Sequence, residues 1–170
     1  MQSSSIAFIF LLFSACTAFN FQGATKPLGY FDPLEFSKGV SDSDIVRFRE
    51  SELKHGRVGM VSALTIPLIE RFDHIPAIHQ FEHLHSSVQL GIVFSIMAAE
   101  VTFMKNGWKD PFASSDNYFQ LRDDYQPGDL GLCLPVDDDM LNKELNNGRL
   151  AMIASAGMIA QEFVTGQPLF

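Results

Sequence analysis

The sequence of 170 residues predicts an all-α membrane protein with three transmembrane helices, in which the first and third helices cross about a pseudo-twofold axis. Three observations support this prediction. The chain contains three long segments with helix-forming patterns, it repeats one motif at the start of the first and third segments, and its basic residues lie almost entirely on one side of the expected membrane. The acidic balance, with a net charge of -8, argues against nucleic acid as a partner.

The first 18 residues have the composition of a targeting signal, although they contain no basic residue. An apolar run at residues 6–13 precedes small residues and a cleavage site after Ala18. This run is too short to span a bilayer, which takes about 20 apolar residues. We therefore expect residues 1–18 to be removed, residues 19–42 to form a stromal N-terminal loop and residues 43–170 to form a three-helix domain.

Helices are predicted at about residues 43–70, 86–105 and 139–165. Asp42 or Ser43 can cap the first helix, because either side chain can accept a hydrogen bond from a backbone N–H of the first turn. Negative charge here is also favourable, because the N-terminus is the positive end of the helix dipole. The segment between the first two helices and the Gly-, Pro- and Asp-rich stretch before the third are predicted to be loops.

The basic residues indicate how these helices are oriented. If each helix crosses the membrane once, the N-terminus and the second loop lie on one side, and the first loop and the C-terminus lie on the other. Of the twelve Lys and Arg residues, only Arg71 then lies on the C-terminal side. Such a bias is typical of membrane proteins, whereas a soluble bundle has no reason to show it.

The repeated motif reads ELKHGRVGM at residues 52–60 and ELNNGRLAM at residues 144–152. Positions five apart on a helix are separated by about 140°, so the Glu and Arg of one copy cannot easily face each other. Crossed helices allow two interhelical pairs, Glu52 with Arg149 and Glu144 with Arg57, which neutralise charges that lipid disfavours. Each Glu is expected to keep one carboxylate oxygen unengaged. Small residues that let the backbones approach are Gly56, Gly59, Ala63, Gly148, Ala151 and Ser155. The alternative is an ordinary solvated helix start, which does not predict two copies.

Metal-binding side chains accompany both copies of the motif. His55 and Asn147 follow the Glu residues by three positions, and Gln161 lies about 21 Å beyond Asn147 on the same helix face. These donors do not converge as the ligands of a bare metal ion do. A magnesium ion already held in a macrocycle needs only one axial donor, so the pattern predicts a pigment scaffold. The alternatives are a core role for His55, a helix-contact role for Asn147 and an interfacial position for Gln161.

The two motifs, the segment QEFVTGQPL and the loop LGYFDPL strongly resemble the three-helix chlorophyll-binding antenna proteins, in particular their algal fucoxanthin chlorophyll a/c branch. The resemblance covers residues 26–168. It implies that Arg57 and Arg149 hold the Glu ligands in place. The axial ligands of chlorophyll magnesium that it implies are Glu52, His55, Glu100, Glu144, Asn147 and Gln161, with Gln89 as a further candidate. For Glu100, an ion pair with Lys105 is the alternative.

The resemblance further implies a function, a set of cofactors and a location. The cofactors are chlorophyll a, chlorophyll c and fucoxanthin or related carotenoids, with carotenoid ends near residues 32–34 and 131–136, although LGLCLPV replaces FDPL in the second loop. The protein is expected to be a light-harvesting antenna of the plastid thylakoid membrane rather than an enzyme, with its N-terminus stromal and its C-terminus lumenal. Its expected partners are the core of photosystem I or II, other antenna subunits and the lipid bilayer. The alternatives are a photoprotective family member that dissipates excitation, a His-site metalloenzyme and a pigment-free scaffold.

Four histidines lie in the first interhelical segment, at positions 74, 79, 83 and 85. His79 and His83 have the spacing of zinc ligands on a helix, with Glu82 and His85 beside them. A zinc site, an isolated chlorophyll ligand and a plain interfacial loop are the three interpretations. Since histidines titrate near pH 6.5, a role in sensing lumenal acidification is a further hypothesis.

Overall fold

The computed structural model describes residues 24, 29–110, 112–113, 118–131 and 137–169. These residues form four α-helices and one isolated β-bridge. The helices are α1 (Asp42–Asp73), α2 (Ala77–His83), α3 (Ser86–Gly107) and α4 (Asp138–Thr165). The three long helices begin and end close to the predicted bounds. The predicted signal segment and most of the second carotenoid loop, residues 132–136, lie outside the described residues.

The ends of the long helices follow from local sequence. Ser41 caps α1, and its side chain accepts a hydrogen bond from the backbone N–H of Asp44, so the prediction that Asp42 or Ser43 provides this cap was wrong. Asp42 and Asp44 instead place negative charge in the first turn. At the other end, Gly166 takes a left-handed conformation (φ 64°) and terminates α4.

Helix α2 corrects the prediction of a loop between the first two long helices. The backbone N–H groups of Ala77 and Ile78 donate to carboxylate oxygens of Glu70 and Glu162, at 3.0 and 3.1 Å. These donors have no partner within a helix, because they lie at its start. Helices α1 and α4 therefore supply the hydrogen-bond acceptors for the start of α2. The local sequence of α2 does not predict these distant acceptors.

Helices α1 and α4 cross with their backbones in direct contact. A Cβ atom added to Gly148 would lie 2.9 Å from the Cα of Gly56, and one added to Gly59 would lie 3.0 Å from the backbone N of Met152. The hydroxyl of Ser155 donates to the carbonyl oxygen of Gly59 at 3.0 Å. Since residues 56 and 148 are equivalent positions of the repeat, this contact lies at the pseudo-twofold axis.

Helix α3 is the one helix among the described residues that is long and apolar enough to cross a membrane by composition alone. Its side chains are exposed over almost its whole length. Helices α1 and α4 carry acidic and basic residues in their first halves and charged residues again near their ends, and neither meets the same criterion. Membrane crossing by the three long helices stays a prediction.

The glycine contact at the crossing gives a direct test. We expect Gly148→Ala to lower the stability of the folded protein by about 1–3 kcal/mol, because the new methyl group forces the two backbones apart. Thermal unfolding followed by far-ultraviolet circular dichroism measures this change.

Gly157→Ala is the matched control, because a Cβ at this position of the same helix meets nothing within 4 Å. It should leave stability unchanged or raise it by about 0.5–1 kcal/mol. Equal effects of the two substitutions would contradict the close crossing.

Candidate functional site at the helix crossing

The Glu and Arg residues of the two motif copies meet across the α1–α4 crossing. Arg57 Nε lies 2.7 Å from Glu144 Oε1, and Arg149 Nε lies 2.7 Å from Glu52 Oε1. Both Glu side chains are partly buried, with exposed fractions of 28% for Glu144 and 29% for Glu52. The two pairs therefore connect the helices reciprocally, and each acid is neutralised by a base from the other copy.

The two halves of this arrangement are not equivalent. Arg49 Nη1 lies 2.7 Å from Glu52 Oε2, so both oxygens of Glu52 accept from arginine. The expectation that one oxygen of each Glu stays unengaged is wrong for Glu52. Position 141, which is equivalent to position 49, holds Leu and provides no such cation. Each carboxylate oxygen has two lone pairs, so Glu52 can still donate to a metal ion.

A buried acid that sequence reasoning missed, Glu50, attaches the loop before α4 to this site. Its Oε2 atom accepts from the backbone N–H of Gly128 at 2.8 Å and from the hydroxyl of Tyr125 at 3.2 Å. Burial, together with the Glu50 carboxylate, raises the pKa of Tyr125, so this hydroxyl stays a donor. Arg57 Nη2 donates to the carbonyl oxygen of Gly128 at 2.8 Å. Glu50 has Asn142 at its equivalent position, so comparison of the two copies could not reveal it.

His55 is prepared for ligation through one ring nitrogen. Its Nδ1 atom lies 2.7 Å from the carbonyl oxygen of Ser51, one turn earlier in α1. A proton on Nδ1 satisfies this contact and leaves Nε2 with a lone pair on an exposed side chain. Exposure is inconsistent with the alternative of a core histidine. Asn147 and Gln161 are likewise exposed on α4.

The two ligand candidates on α3, Glu100 and Gln89, both have partners outside this helix. Glu100 Oε2 lies 2.8 Å from Nζ of Lys54 on α1, so the alternative pairing of Glu100 with Lys105 was wrong. Lys54 Nζ also lies 5.0 Å from the centre of the Phe103 ring, within the range of a cation–π contact. Gln89 Nε2 donates to the carbonyl oxygen of Phe81 at 2.7 Å, which orients its amide oxygen away from that contact. Glu100 therefore has an interhelical cation, as Glu52 and Glu144 do.

The first loop is shaped by Asp32. Its side chain accepts from the Ser37 hydroxyl at 2.6 Å, from the Ser37 N–H at 2.9 Å and from the Phe36 N–H at 3.1 Å. These hydrogen bonds, led by that of the Ser37 side chain, lower the pKa of Asp32 below its ordinary value. The large side chains that this turn leaves exposed are Tyr30, Phe31, Leu34 and Phe36.

The histidines of the first interhelical segment do not converge. His79 lies on α2, where Nδ1 is 3.8 Å from Glu82 Oε2. His85 caps α3, since its Nδ1 accepts from the backbone N–H of Ser87 at 3.3 Å. Within the described part of the chain, no group of three or more His, Cys, Asp or Glu residues could hold a metal ion. The zinc interpretation therefore has no converging ligand set in this segment.

Comparison with known proteins identifies the family. Residues 19–163 match the family described as chlorophyll A-B binding protein. The chain is 38% identical over 172 residues to light-harvesting complex stress-related protein 3.2, chloroplastic, of Chlamydomonas reinhardtii, in an alignment that covers 89% of this chain and 66% of that protein. It is 38% identical over 166 residues to the fucoxanthin-chlorophyll a-c binding protein, chloroplastic, of Isochrysis galbana, with coverage of 88% and 79%. A protein of the same name from Chattonella marina var. antiqua is 33% identical over 159 residues, with coverage of 85% and 69%.

The chain spans about two thirds of the length of the Chlamydomonas relative. Its relatives carry the names of light-harvesting and chlorophyll a-c binding proteins, in agreement with the branch that the repeated motif and the LGYFDPL loop predicted. The chain belongs to the chlorophyll A-B binding protein family.

Proposed function

We propose that this protein is a light-harvesting antenna of the thylakoid membrane, which binds chlorophyll a, chlorophyll c and fucoxanthin or related carotenoids and passes excitation energy to a photosystem. The observation that carries the proposal is the set of exposed single donors around a charge-paired helix crossing. His55 is the clearest member, because its Nδ1 atom contacts the carbonyl oxygen of Ser51 while the side chain is exposed, which leaves Nε2 available as a donor to magnesium. A pigment whose magnesium already has four ring ligands requires one such donor and no cluster.

Charge compensation supports a location in lipid. An uncompensated charge inside a membrane costs roughly 2.5–3.5 kcal/mol even on insertion scales, so a carboxylate there needs a cation. The three Glu ligand candidates, at positions 52, 100 and 144, each have a Lys or Arg nitrogen at 2.7 or 2.8 Å that comes from a different helix. The Glu144–Arg57 and Glu100–Lys54 pairs are each neutral and keep a lone pair for magnesium, whereas Glu52 has two arginines within 2.7 Å.

The dimensions of the crossed helices also fit a bilayer. Glu52 and Glu70 are 18 residues apart on α1, which corresponds to about 27 Å along a helix. This separation is close to the hydrocarbon thickness of about 30 Å. Between these polar ends, both α1 and α4 are mainly apolar. The one-sided basic residues favour a stromal N-terminus and a lumenal C-terminus.

The pigments would supply light absorption, and the chain would supply position and electrostatics. In this role the side chains bind magnesium, hold the ligands in fixed orientations and keep charges paired, and no residue has to carry out a chemical step. The cation beside each Glu ligand differs, with Arg49 and Arg149 at Glu52, Arg57 at Glu144 and Lys54 at Glu100. The local field at each pigment is therefore expected to differ.

A photoprotective role is the second candidate, because the similarity to a stress-related light-harvesting protein equals in identity the similarity to a fucoxanthin-chlorophyll protein. Fluorescence lifetimes of the purified pigment complex at neutral and acidic pH separate the two roles. A harvester keeps a long lifetime at both values, whereas a dissipating protein shows a lifetime that shortens in acid.

Pigment binding by His55 can be tested by substitution. We expect His55→Leu to lose one chlorophyll per protein, because leucine offers no lone pair to magnesium. Pigment extraction from the native or reconstituted protein, with the absorption spectrum, gives the stoichiometry. Val58→Leu is the control, since it changes an exposed side chain of the same helix that has no lone pair for magnesium and should leave the pigment content unchanged. A colourless wild-type preparation, or an unchanged chlorophyll count in His55→Leu, would contradict the proposal.

The unequal ion pairs predict unequal damage from two equivalent substitutions. Arg57→Leu leaves Glu144 without the cation at 2.7 Å, whereas Arg149→Leu leaves Glu52 with Arg49 at 2.7 Å. Loss of one member of a buried pair costs about 3–5 kcal/mol, and we expect Arg57→Leu to approach the lower value and Arg149→Leu to cost less. Assembly yield and thermal stability of the pigment complex measure the difference.

Double substitutions complete this test. Arg57→Leu combined with Glu144→Gln should recover part of the lost stability, because neither member of this ion pair remains charged. Arg149→Leu combined with Glu52→Gln should recover none, because Glu52→Gln also removes the carboxylate that lies 2.7 Å from Arg49. Equal damage in Arg57→Leu and in its combination with Glu144→Gln would contradict the cross-helix pairing.

A further inference from the structure

Helix α3 is not held in place by packing against the other long helices. Every residue from Leu90 to Thr102 is exposed, and within the part of the chain that the structure describes α3 makes no extended contact with α1 or α4. In the middle of the helix, the carboxylate of Glu100 contacts Lys54 of α1. Such a contact between two long side chains fixes one point only. The end of α3, at Gly107, therefore needs a separate attachment to the crossed helices.

The loop that follows α3 is bound to this end of the helix. The backbone N–H of Arg122 donates to the carbonyl oxygen of Gly107 at 2.9 Å, and the N–H of Lys109 donates to the carbonyl oxygen of Gln120, also at 2.9 Å. The ring of Tyr125 covers Gly107, where an added Cβ atom would lie 2.9 Å from the Cζ atom of the ring. This part of the loop and the end of α3 therefore form one hydrogen-bonded unit.

The next four residues, QPGD at 126–129, have the pattern of a type II β-turn. The N–H of Asp129 donates to the carbonyl oxygen of Gln126 at 3.1 Å, which closes the turn. Gly128 has a φ of 83°, as this turn requires at its third residue. Pro127 stands at the second residue, where the fixed φ of proline is suitable. The local sequence therefore specifies this turn.

Both backbone polar groups of Gly128 bind α1. The N–H donates to Glu50 Oε2 at 2.8 Å, and the carbonyl oxygen accepts from Arg57 Nη2 at 2.8 Å. The fit is close, because a Cβ atom added to Gly128 would lie 2.8 Å from Cδ1 of Leu53. The hydroxyl of Tyr125 donates to the same Glu50 oxygen at 3.2 Å. Glu50, which is 5% exposed, thus holds both the turn and the ring that covers the end of α3.

We propose that Glu50 is a positioning residue for α3, because it holds the turn at 126–129 against α1 and thereby sets the distance of Glu100 from the crossed helices. Glu100 lies seven residues before Gly107, which corresponds to about 10.5 Å along the helix. A displacement of the helix end therefore also displaces Glu100. The consequence for a pigment at Glu100 rests on the function proposed above, whereas the position of α3 does not.

Distances between spin labels on α1 and α3 test the positioning without reference to pigment. The labels are attached through Val61→Cys and Val101→Cys, two exposed positions, in the full-length protein with Cys16→Ser and Cys133→Ser. We expect one narrow distance distribution. Glu50→Leu should broaden it, because leucine accepts no hydrogen bond and the turn then separates from α1. An unchanged distribution in Glu50→Leu overturns the proposal.

Three further variants separate the hydrogen bonds of Glu50 from general damage. Glu50→Gln should keep the narrow distribution, because its amide oxygen can accept from the same N–H. Gly128→Ala should broaden the distribution from the loop side, since its methyl group meets Leu53. Gly29→Ala is the matched control, because it introduces a side chain at a similar φ of 62° where a Cβ meets nothing within 4 Å. A narrow distribution in Gly128→Ala, or equal broadening in Glu50→Gln and Glu50→Leu, overturns the proposal.

Absorption spectra of the pigment-loaded protein test the consequence for Glu100. The differences between the wild-type spectrum and those of Glu100→Leu and His55→Leu identify the bands of the pigments at these two positions. Glu50→Leu should shift or remove the Glu100 band and retain the His55 band, whereas a general loss of stability changes both. Equal changes in both bands, or in neither, overturn the positioning role. A wild-type preparation without chlorophyll contradicts the proposed function alone, because the spin-label distances do not depend on pigment.

Discussion

Reciprocal ion pairing across the α1–α4 crossing is the constraint on which the arrangement of the candidate site depends. Each motif copy provides an acid and a base that cannot neutralise each other, because they face different sides of one helix. Neutrality is reached only when two copies cross, with Arg57 at Glu144 and Arg149 at Glu52. Contact of the glycines at positions 56 and 148 allows the helices to come close enough for these side chains to meet. The donors beside each motif are then held at fixed positions on the outer faces.

The crossing is symmetric in its backbone and asymmetric in its charges. Arg49 adds a second cation to Glu52, while Leu141 occupies the equivalent position near Glu144. Glu50 attaches the loop before α4 on one side only. The duplicated scaffold therefore has two crossing sites that differ in local potential. Under the proposed function, pigments bound at the two sites would have different environments, which suits the transfer of excitation in a preferred direction.

The three long helices and their crossing could be predicted from the sequence, because the patterns that indicate them are local or repeated. Long apolar segments, bounded by cap residues and glycine, place the three long helices within a few residues. The 92-residue repeat identifies the residues that meet at the crossing. The presence of helix α2 could not be predicted from its local sequence. Its first N–H groups donate to Glu70 and to Glu162, and Glu162 lies 84 residues from Ile78.

The missed site residues have a similar physical origin. The partner of Glu100 is Lys54, 46 residues away, whereas sequence reasoning considered Lys105 on the same helix. Glu50 could not be predicted by comparing the two copies of the motif, because its equivalent position holds Asn142. Glu70 and Glu162, which accept hydrogen bonds from the start of α2, differ from Glu50 in this respect, because they share both the 92-residue offset and the helix face of the motif Glu residues. Extending the comparison beyond Met60 and Met152 would have found them.

Arg57 also connects the crossed helices to the loop before α4. Its guanidinium group binds the Glu144 carboxylate through Nε and the Gly128 carbonyl through Nη2, so it joins the interior of the helix pair to the surface loop. A molecule that docks on this loop and shifts Gly128 would also displace the counter-charge of Glu144. Under the proposed function, contact with a neighbouring subunit would in this way change the absorption of a pigment bound at Glu144 without touching that pigment.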